Sequence, residues 1–161
     1  MGSKRQEADH LVGVISDTHG LLRPEAVTEL EGSELIIHAG DIGDPEILKE
    51  LKRIAPVIAV RGNSDKGGWA NELPETEVVS IGEVHVYVLH DMYALDLDPV
   101  AAGFAAVITG HSHRPKVEEK EGVVFLNPGS AGPRRFNLPV SLARLHIGDG
   151  RLDTEIVELD V

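Results

Sequence analysis

Side chains of the kinds that bind divalent cations lie in five short clusters along this chain. The clusters are Ser16-Asp17-Thr18-His19-Gly20, His38-Ala39-Gly40-Asp41, Arg61-Gly62-Asn63-Ser64-Asp65, His90-Asp91 and Gly110-His111-Ser112-His113. In extended backbone, residues two apart point to the same side, so Asp17 and His19 can grip one cation, and His111 and His113 share that spacing. A lone Asp-x-His triplet in a loop is more often an Asx-turn or an N-cap than a ligand pair. Five clusters together, carrying Asp17, His19, Asp41, Asn63, His90, His111 and His113, are a different matter. Seven ligands exceed what one tetrahedral zinc takes and suit two metals of intermediate hardness, for which carboxylate and imidazole are a natural mixture. The chain has no cysteine, which excludes disulfides, thiolate zinc sites and cysteine nucleophiles.

Each cluster follows an apolar run, and those runs are the elements that must position it. Residues 11–16, 34–38 and 56–60 are short and rich in β-branched side chains, as buried strands are. Between them, residues 24–30 open on a proline suited to a helix first turn, and residues 45–54 carry apolar positions at helical spacing behind Asp44 as N-cap. The order βαβαβ predicts a parallel sheet whose ligand sites lie at the carboxyl ends of its strands. Residues 77–81 and 84–89 flank Gly82-Glu83 as a hairpin, with Val84, Val86 and Val88 on one face. A short helix at 99–103 precedes strands at 105–109, 116–120, 123–127, 140–147 and 152–159, with turns at Glu121-Gly122 and Asp149-Gly150. The expected fold is α/β: two sheets packed face to face with helices outside, in one domain over 1–161 with residues 1–10 as a flexible lead.

These motifs, in this order, resemble the calcineurin-like metallophosphoesterase family, whose pattern runs Asp-x-His, Gly-Asp, Gly-Asn, His and Gly-His-x-His. The likeness spans roughly residues 11–160, and the short length together with Asn127-Pro128-Gly129-Ser130 is similar to its small YfcE-type branch. The resemblance implies an α/β sandwich, phosphodiesterase activity and two metal ions. It puts Asp17, His19, Asp41 and His113 on one metal, with Asp41 bridging to a second completed by Asn63, His90 and His111. Two cations about 3.5 to 4 Å apart lower the pKa of a water, align it and neutralise charge on the phosphoryl oxygens, so no protein nucleophile is needed. Asp41, Asn63 and His111 are then nearest the chemistry, and the Asn63 amide can also donate to a phosphoryl oxygen. Mn2+ is the first metal expected from the mixed oxygen and nitrogen donors, with Ni2+, Zn2+, Fe2+, Co2+ and Mg2+ as alternatives.

Two positions depart from the family pattern. Larger members place a histidine after the Gly-Asn pair to protonate the leaving group, and here Ser64 stands there. The family also often continues His90 as His-Gly-His, where this chain has Asp91 and Met92, so Asp91 is a candidate for orienting His90 or another ligand. Several polar residues have plainer readings: His38 as a hydrogen-bonded core histidine, Asp65 as the brace of the Asn63 loop, and His10, His85 and His146 with no chemistry. Asn127-Pro128-Gly129-Ser130 is a turn whose N–H groups are candidates for phosphate binding beside the metals. Arg134 is a candidate substrate contact because its fork suits phosphate, against the ordinary reading of a solvated arginine after a turn. Trp69, Met92 and Tyr93 are either core cover or a contact surface.

Composition narrows the partners. The 161 residues are 42% apolar and 4% aromatic, with a formal charge of −12. Such a charge opposes binding of a long nucleic acid, whose affinity comes from Lys and Arg, so a small phosphodiester is the expected partner. No apolar run approaches the roughly 20 residues of a membrane helix, and the polar first ten residues lack the apolar segment of a signal peptide, so a cytoplasmic location is the expectation. Resemblance alone suggests a homodimer. The competing readings are a catalytically weak protein-binding scaffold of the same fold, as in the phosphoesterase-like subunit of retromer, and a nucleotide pyrophosphohydrolase. The filled ligand positions oppose the first, and the short chain, without room for substrate-binding insertions, opposes the second.

Overall fold

A computed structural model describes residues 9–161. The predicted lead therefore lies outside the described residues except at its end, where His10 already belongs to the first strand. The chain runs β1 (His10–Ile15), α1 (Pro24–Leu30), β2 (Leu35–His38), α2 (Pro45–Lys52), β3 (Val57–Ala59), α3 (Gly68–Asn71), β4 (Thr76–Ile81) and β5 (Val84–Leu89). A 3-10 turn (Met92–Ala94) and α4 (Pro99–Ala102) lead into β6 (Ala106–Ile108), β7 (Lys116–Lys120), β8 (Val123–Asn127), β9 (Ser141–Gly148) and β10 (Arg151–Glu158).

The strands form two five-stranded sheets, ordered β10-β9-β1-β2-β3 and β4-β5-β6-β8-β7. Three neighbouring strands of each are parallel: β1 with β2 and β2 with β3 along one side of the first, β5 with β6 and β6 with β8 in the middle of the second. Antiparallel strands complete both sheets. The inner faces meet in a core of Val12, Val14, Ile37, Val84, Val86, Val88, Ile108, Leu126, Leu145 and Ile147. The predicted valine face of β5 is thus the face that packs. On the outer side of the first sheet Ile15 and Ile36 meet Ala26 and Leu30 of α1 and Ile47 and Leu51 of α2. The sheet and helix come close there: a Cβ on Gly13 would sit 2.5 Å from Leu30 Cδ2 and 2.9 Å from Ser33 Oγ. The outer side of the second sheet buries Tyr87, Leu89 and Val107 beneath Leu95, Leu97 and Phe104.

Helix starts follow the local chemistry. Asp44 caps α2, its carboxylate accepting from Glu46 N at 2.9 Å, with Pro45 in the first turn. Asp98 caps α4 in the same way, accepting from Val100 N and Ala101 N. Two short pieces went unanticipated, the four-residue α3 and the 3-10 turn. Gly67 gives α3 no side-chain cap, so nothing in its sequence announces a start. His10 was also misplaced, because its strand signal comes from tertiary contacts: it pairs with Ile147, and its Nδ1 lies 2.7 Å from Glu34 Oε2.

His38 ends β2 fully buried, and its hydrogen bonds fix its tautomer. Gly40 N–H donates to Nδ1 at 3.1 Å, so the proton is on Nε2, which donates to Thr18 Oγ1 at 3.0 Å; the Thr18 hydroxyl in turn donates to Ile42 O at 2.8 Å. Burial pushes the imidazole pKa down to about 4. A histidine held neutral in the fold binds fewer protons than the unfolded chain between about pH 6.5 and 4, so its contribution is complete above that window and lost as pH falls through it. Urea unfolding at pH 7 and pH 4.5 should show wild type losing more stability than His38→Gln, by up to ~3 kcal/mol. Equal losses would show that His38 is not kept neutral.

Candidate metal centre

The carboxyl ends of the parallel strands bring the predicted clusters to one edge of the sandwich. Asp17 follows β1, Asp41 follows β2, Asn63 follows β3, His90 follows β5, and His111 and His113 follow β6. Backbone bonds lash the loops together: Asp17 N to Gly40 O at 3.0 Å, His19 N to Asp41 O at 2.9 Å, Gly110 N to His90 O at 2.9 Å and Ala131 N to Ser16 O at 3.1 Å. Two further bonds cross between the sheets, His111 N to Asp17 Oδ2 at 3.0 Å and His90 Nδ1 to Ala39 O at 2.7 Å.

The backbone at this edge is strained. Asp17, His19, Asp41, His111 and His113 all have positive φ, between 47° and 72°, and they are five of the eight non-glycine residues that do among those described. Such conformations cost on the order of 1–3 kcal/mol each and persist where surrounding structure over-determines them. This corrects the expectation of extended backbone at Asp17 and His19. Their side chains still meet, with His19 Nε2 3.6 Å from Asp17 Oδ1, but left-handed turns bring them together. The same turns send His111 and His113 apart. His113 groups with Asp17 and His19, while His111 groups with Asp41 and His90, each trio having its ligand atoms within 4.8 Å of one another.

Each carboxylate has one oxygen anchored and one presented. Asp17 Oδ2 accepts from Ser16 Oγ at 2.7 Å and from His111 N, leaving Oδ1 to face His113 Nε2 at 3.4 Å. Asp41 Oδ1 accepts from Ser64 N at 2.9 Å, leaving Oδ2 3.2 Å from His90 Nε2 and 3.6 Å from His19 Nε2. Asp41 thus stands between the two trios. His90 donates its Nδ1 proton to the Ala39 carbonyl, so in the neutral ring Nε2 presents a lone pair to a carboxylate oxygen. Among the described residues, three buried side-chain polar atoms have no hydrogen-bond partner, and all three belong to this cluster: Asp17 Oδ1, His90 Nε2 and His113 Nδ1. A buried unsatisfied group costs about 1–3 kcal/mol, more when charged. Facing acceptors in a buried place require positive charge between them, and oxygen with imidazole is a donor set for divalent transition metals.

The titration behaviour has the same origin. Burial alone would raise the Asp17 carboxyl, but the nearby imidazoles of His113 and His19, the charge of His90 and the hydrogen bond from the Ser16 hydroxyl hold it well below the usual carboxylate range. Asp41 is likewise opposed by burial, yet His90 and the Ser64 N–H bring it down to about 2. Burial works against protonation of His90, and Asp41 and Asp17 overcome it, so its pKa is raised.

Asn63 lies on an exposed turn, one residue before the Ser64 N–H that anchors Asp41. His111 is also exposed, its ring edge-on to His90 with centroids 5.2 Å apart. Asp65 braces this turn as expected, accepting from Gly62 N at 2.9 Å, Ile42 N at 3.2 Å and Gly43 N at 3.0 Å. The close approach needs Gly62, where a Cβ would run into the Asp41 backbone and carboxylate. Arg134 is placed elsewhere: its guanidinium donates to Leu138 O and Val161 O, and no bond or ion pair joins it to the cluster among the described residues.

Two expectations about supporting residues need correction. Asp91 does not orient His90, a task the Ala39 carbonyl performs; it caps the 3-10 turn by accepting from Tyr93 N at 3.0 Å. The turn after β8 does not offer a row of free N–H groups either, because Gly129 N donates to Asn127 Oδ1, Ala131 N to Ser16 O and Gly132 N to Ser130 Oγ. It buttresses the site: Asn127 Nδ2 donates to Gly110 O at 2.8 Å, and Ser130 Oγ donates to Asp17 O at 2.9 Å. Ser16, Asn127 and Ser130 were not anticipated as supports; adjacency to predicted ligands was the available signal for Ser16.

Residues 11–150 match the calcineurin-like phosphoesterase superfamily domain. The chain is 41% identical, over 91% of each sequence, to a probable metallophosphoesterase of Methanothermobacter thermautotrophicus. It is 25% identical to the phosphodiesterase YfcE of Escherichia coli, covering 89% of this chain and 88% of that one. A structure of Vps29 with Zn2+ from Entamoeba histolytica superposes with a TM-score of 0.68 at 27% identity, over 93% of this chain and 99% of that one. With the Asp/His cluster at its sheet edge, the chain belongs to the calcineurin-like phosphoesterase superfamily and is a metal-dependent phosphoesterase with YfcE among its relatives.

Proposed function

We propose that this chain hydrolyses small phosphodiesters at a site that holds two divalent ions. The observation that carries the reading is the pair of inward-facing acceptors, Asp41 Oδ2 and His90 Nε2 at 3.2 Å, in a cluster where buried ligand atoms lack partners. Asp17, His19 and His113 would hold one ion, and His90, His111 and Asn63 the other, with Asp41 shared. Bound there, two ions would lower the pKa of an attacking water and neutralise charge on the phosphoryl oxygens. Mn2+ is the first choice for this donor set.

The chain's own residues would do the positioning. Ser16, Ser64 N and the Ala39 carbonyl fix the ligands before substrate arrives, so little reorganisation remains at the moment of reaction. Asn63, on the exposed turn beside Asp41, would offer its side-chain carbonyl to a cation and its amide N–H to a phosphoryl oxygen. His111 lies at the exposed rim, where the ester arms must leave. Ser64 cannot act as the histidine acid of larger relatives, and a missing general acid typically withholds about 10² to 10⁴ in rate.

Hydrolysis of bis(p-nitrophenyl) phosphate by chelator-treated protein should return on adding Mn2+, and Asp41→Ala should remove it by at least about 10²-fold. Metal binding without turnover of any diester would favour the scaffold reading, toward which the likeness to Vps29 points. Without a dedicated acid, rates across a diester series should fall steeply as the leaving-group pKa rises, aryl esters outrunning alkyl ones. Ser64→His should flatten that dependence. A flat dependence in wild type, with the chemical step limiting, would mean that another residue protonates the leaving group.

A further inference from the structure

A groove of about 420 Å³ opens on the outer side of the second sheet, and His111 and Ser112 form its inner end. It is therefore continuous with the metal centre through one of the candidate ligands. Its floor is Phe125 on β8, and its rim is the 3-10 turn, where Tyr93 is 98% exposed and Met92 40% exposed. Leaving an aromatic ring almost entirely in water at the mouth of a site has no packing explanation; it offers a flat face to a ligand.

Arg114, Lys116 and Lys120 line the groove together with the carboxylates of Asp91 and Glu118, a local excess of positive charge in a chain whose formal charge is −12. The period of two along β7 turns Lys116 and Lys120 to the groove, with Glu118 between them at 3.4 Å and 3.8 Å. Lys120 also lies over the Phe125 ring, 5.8 Å from its centroid. Arg114 reaches the groove from the loop after His113 and, among the described residues, has no ion pair. Its N–H donates to Ser112 Oγ, which also accepts from Asn127 Nδ2, so the arginine's backbone is fixed relative to the ligand loop.

We propose that this groove is the subsite for one ester arm of the diester, and that it selects an arm carrying a planar ring and a further phosphate. Resting on the phosphodiesterase reading above, the proposal adds the class of substrate, a nucleotide-like diester with an extra phosphate. A diester whose phosphorus sits at the metal centre must send one arm past His111, and the groove volume falls within the range of small-molecule pockets. The ring stacks against Tyr93 over Phe125, and the phosphate meets Arg114 and the two lysines.

The test uses the full chain with Zn2+ and, as probe, adenosine 3′,5′-bisphosphate, which contains no diester bond, followed by amide NMR shifts. Shifts should map to residues 91–93 and 112–125, and adenosine itself should bind at least about tenfold more weakly. The double variant Arg114→Ala/Lys116→Ala and the single variant Tyr93→Ala, both at exposed positions, should each weaken the probe by about tenfold or more. No binding, shifts confined to the ligand loops, or unchanged affinity in both variants would overturn the proposal. A second arm compares kcat/KM for the p-nitrophenyl ester of thymidine 5′-phosphate with and without a 3′-phosphate. A ratio near one overturns the groove assignment and leaves the phosphodiesterase standing. Probe binding with neither ester cleaved does the reverse.

Discussion

Two carboxylates and four imidazoles are held in one place with ligand atoms turned toward each other, and the rest of the molecule is arranged around that constraint. Asp17 Oδ1 and Asp41 Oδ2 are each within 3.9 Å of His90 Nε2, in surroundings where all three residues are at least nine-tenths buried. Desolvation opposes charge there, and like charges oppose one another. The arrangement is tolerable only with positive charge inside it. Divalent ions bound among these groups would supply it. The feature that costs stability is thus the one that gives the site its affinity for metal.

The fold meets this cost through topology. Parallel strands in both sheets deliver their carboxyl ends to one edge, and two hydrogen bonds cross from sheet to sheet at that edge. Neither sheet alone could build the site, because Asp17 and Asp41 come from one and His90, His111 and His113 from the other. Packing of the valine and isoleucine faces between the sheets therefore sets the ligand distances. The left-handed residues draw on the same packing, since their strain persists only because the strands on either side are fixed.

Much of this was legible in the sequence for identifiable reasons. Apolar runs punctuated by Gly, Pro and Asp located every strand to within a residue or two, and Asp44 with Pro45 marked α2 because capping chemistry is local. The convergence of the Asp and His clusters was legible because each follows a strand that the sequence marks, and metal chemistry restricts residue types severely. What was hidden depends on partners far away in the chain. The pairing of His10 with Ile147, the hold of Ala39 on His90 and the buttress from Ser130 to Asp17 leave no local trace. The left-handed turns were hidden too, since Asp and His tolerate positive φ without requiring it. Asp91 was assigned from its place beside His90, and the structure turns it to the Tyr93 N–H instead.

The central claim is that the two trios hold two separate ions, with Asp41 between them. Crystals of the protein grown with Mn2+ and measured at the manganese absorption edge test it most directly. The account predicts two anomalous peaks per chain, one among Asp17, His19 and His113 and one among Asp41, His90 and His111. A single peak shared by both trios, or none at saturating metal, would contradict it.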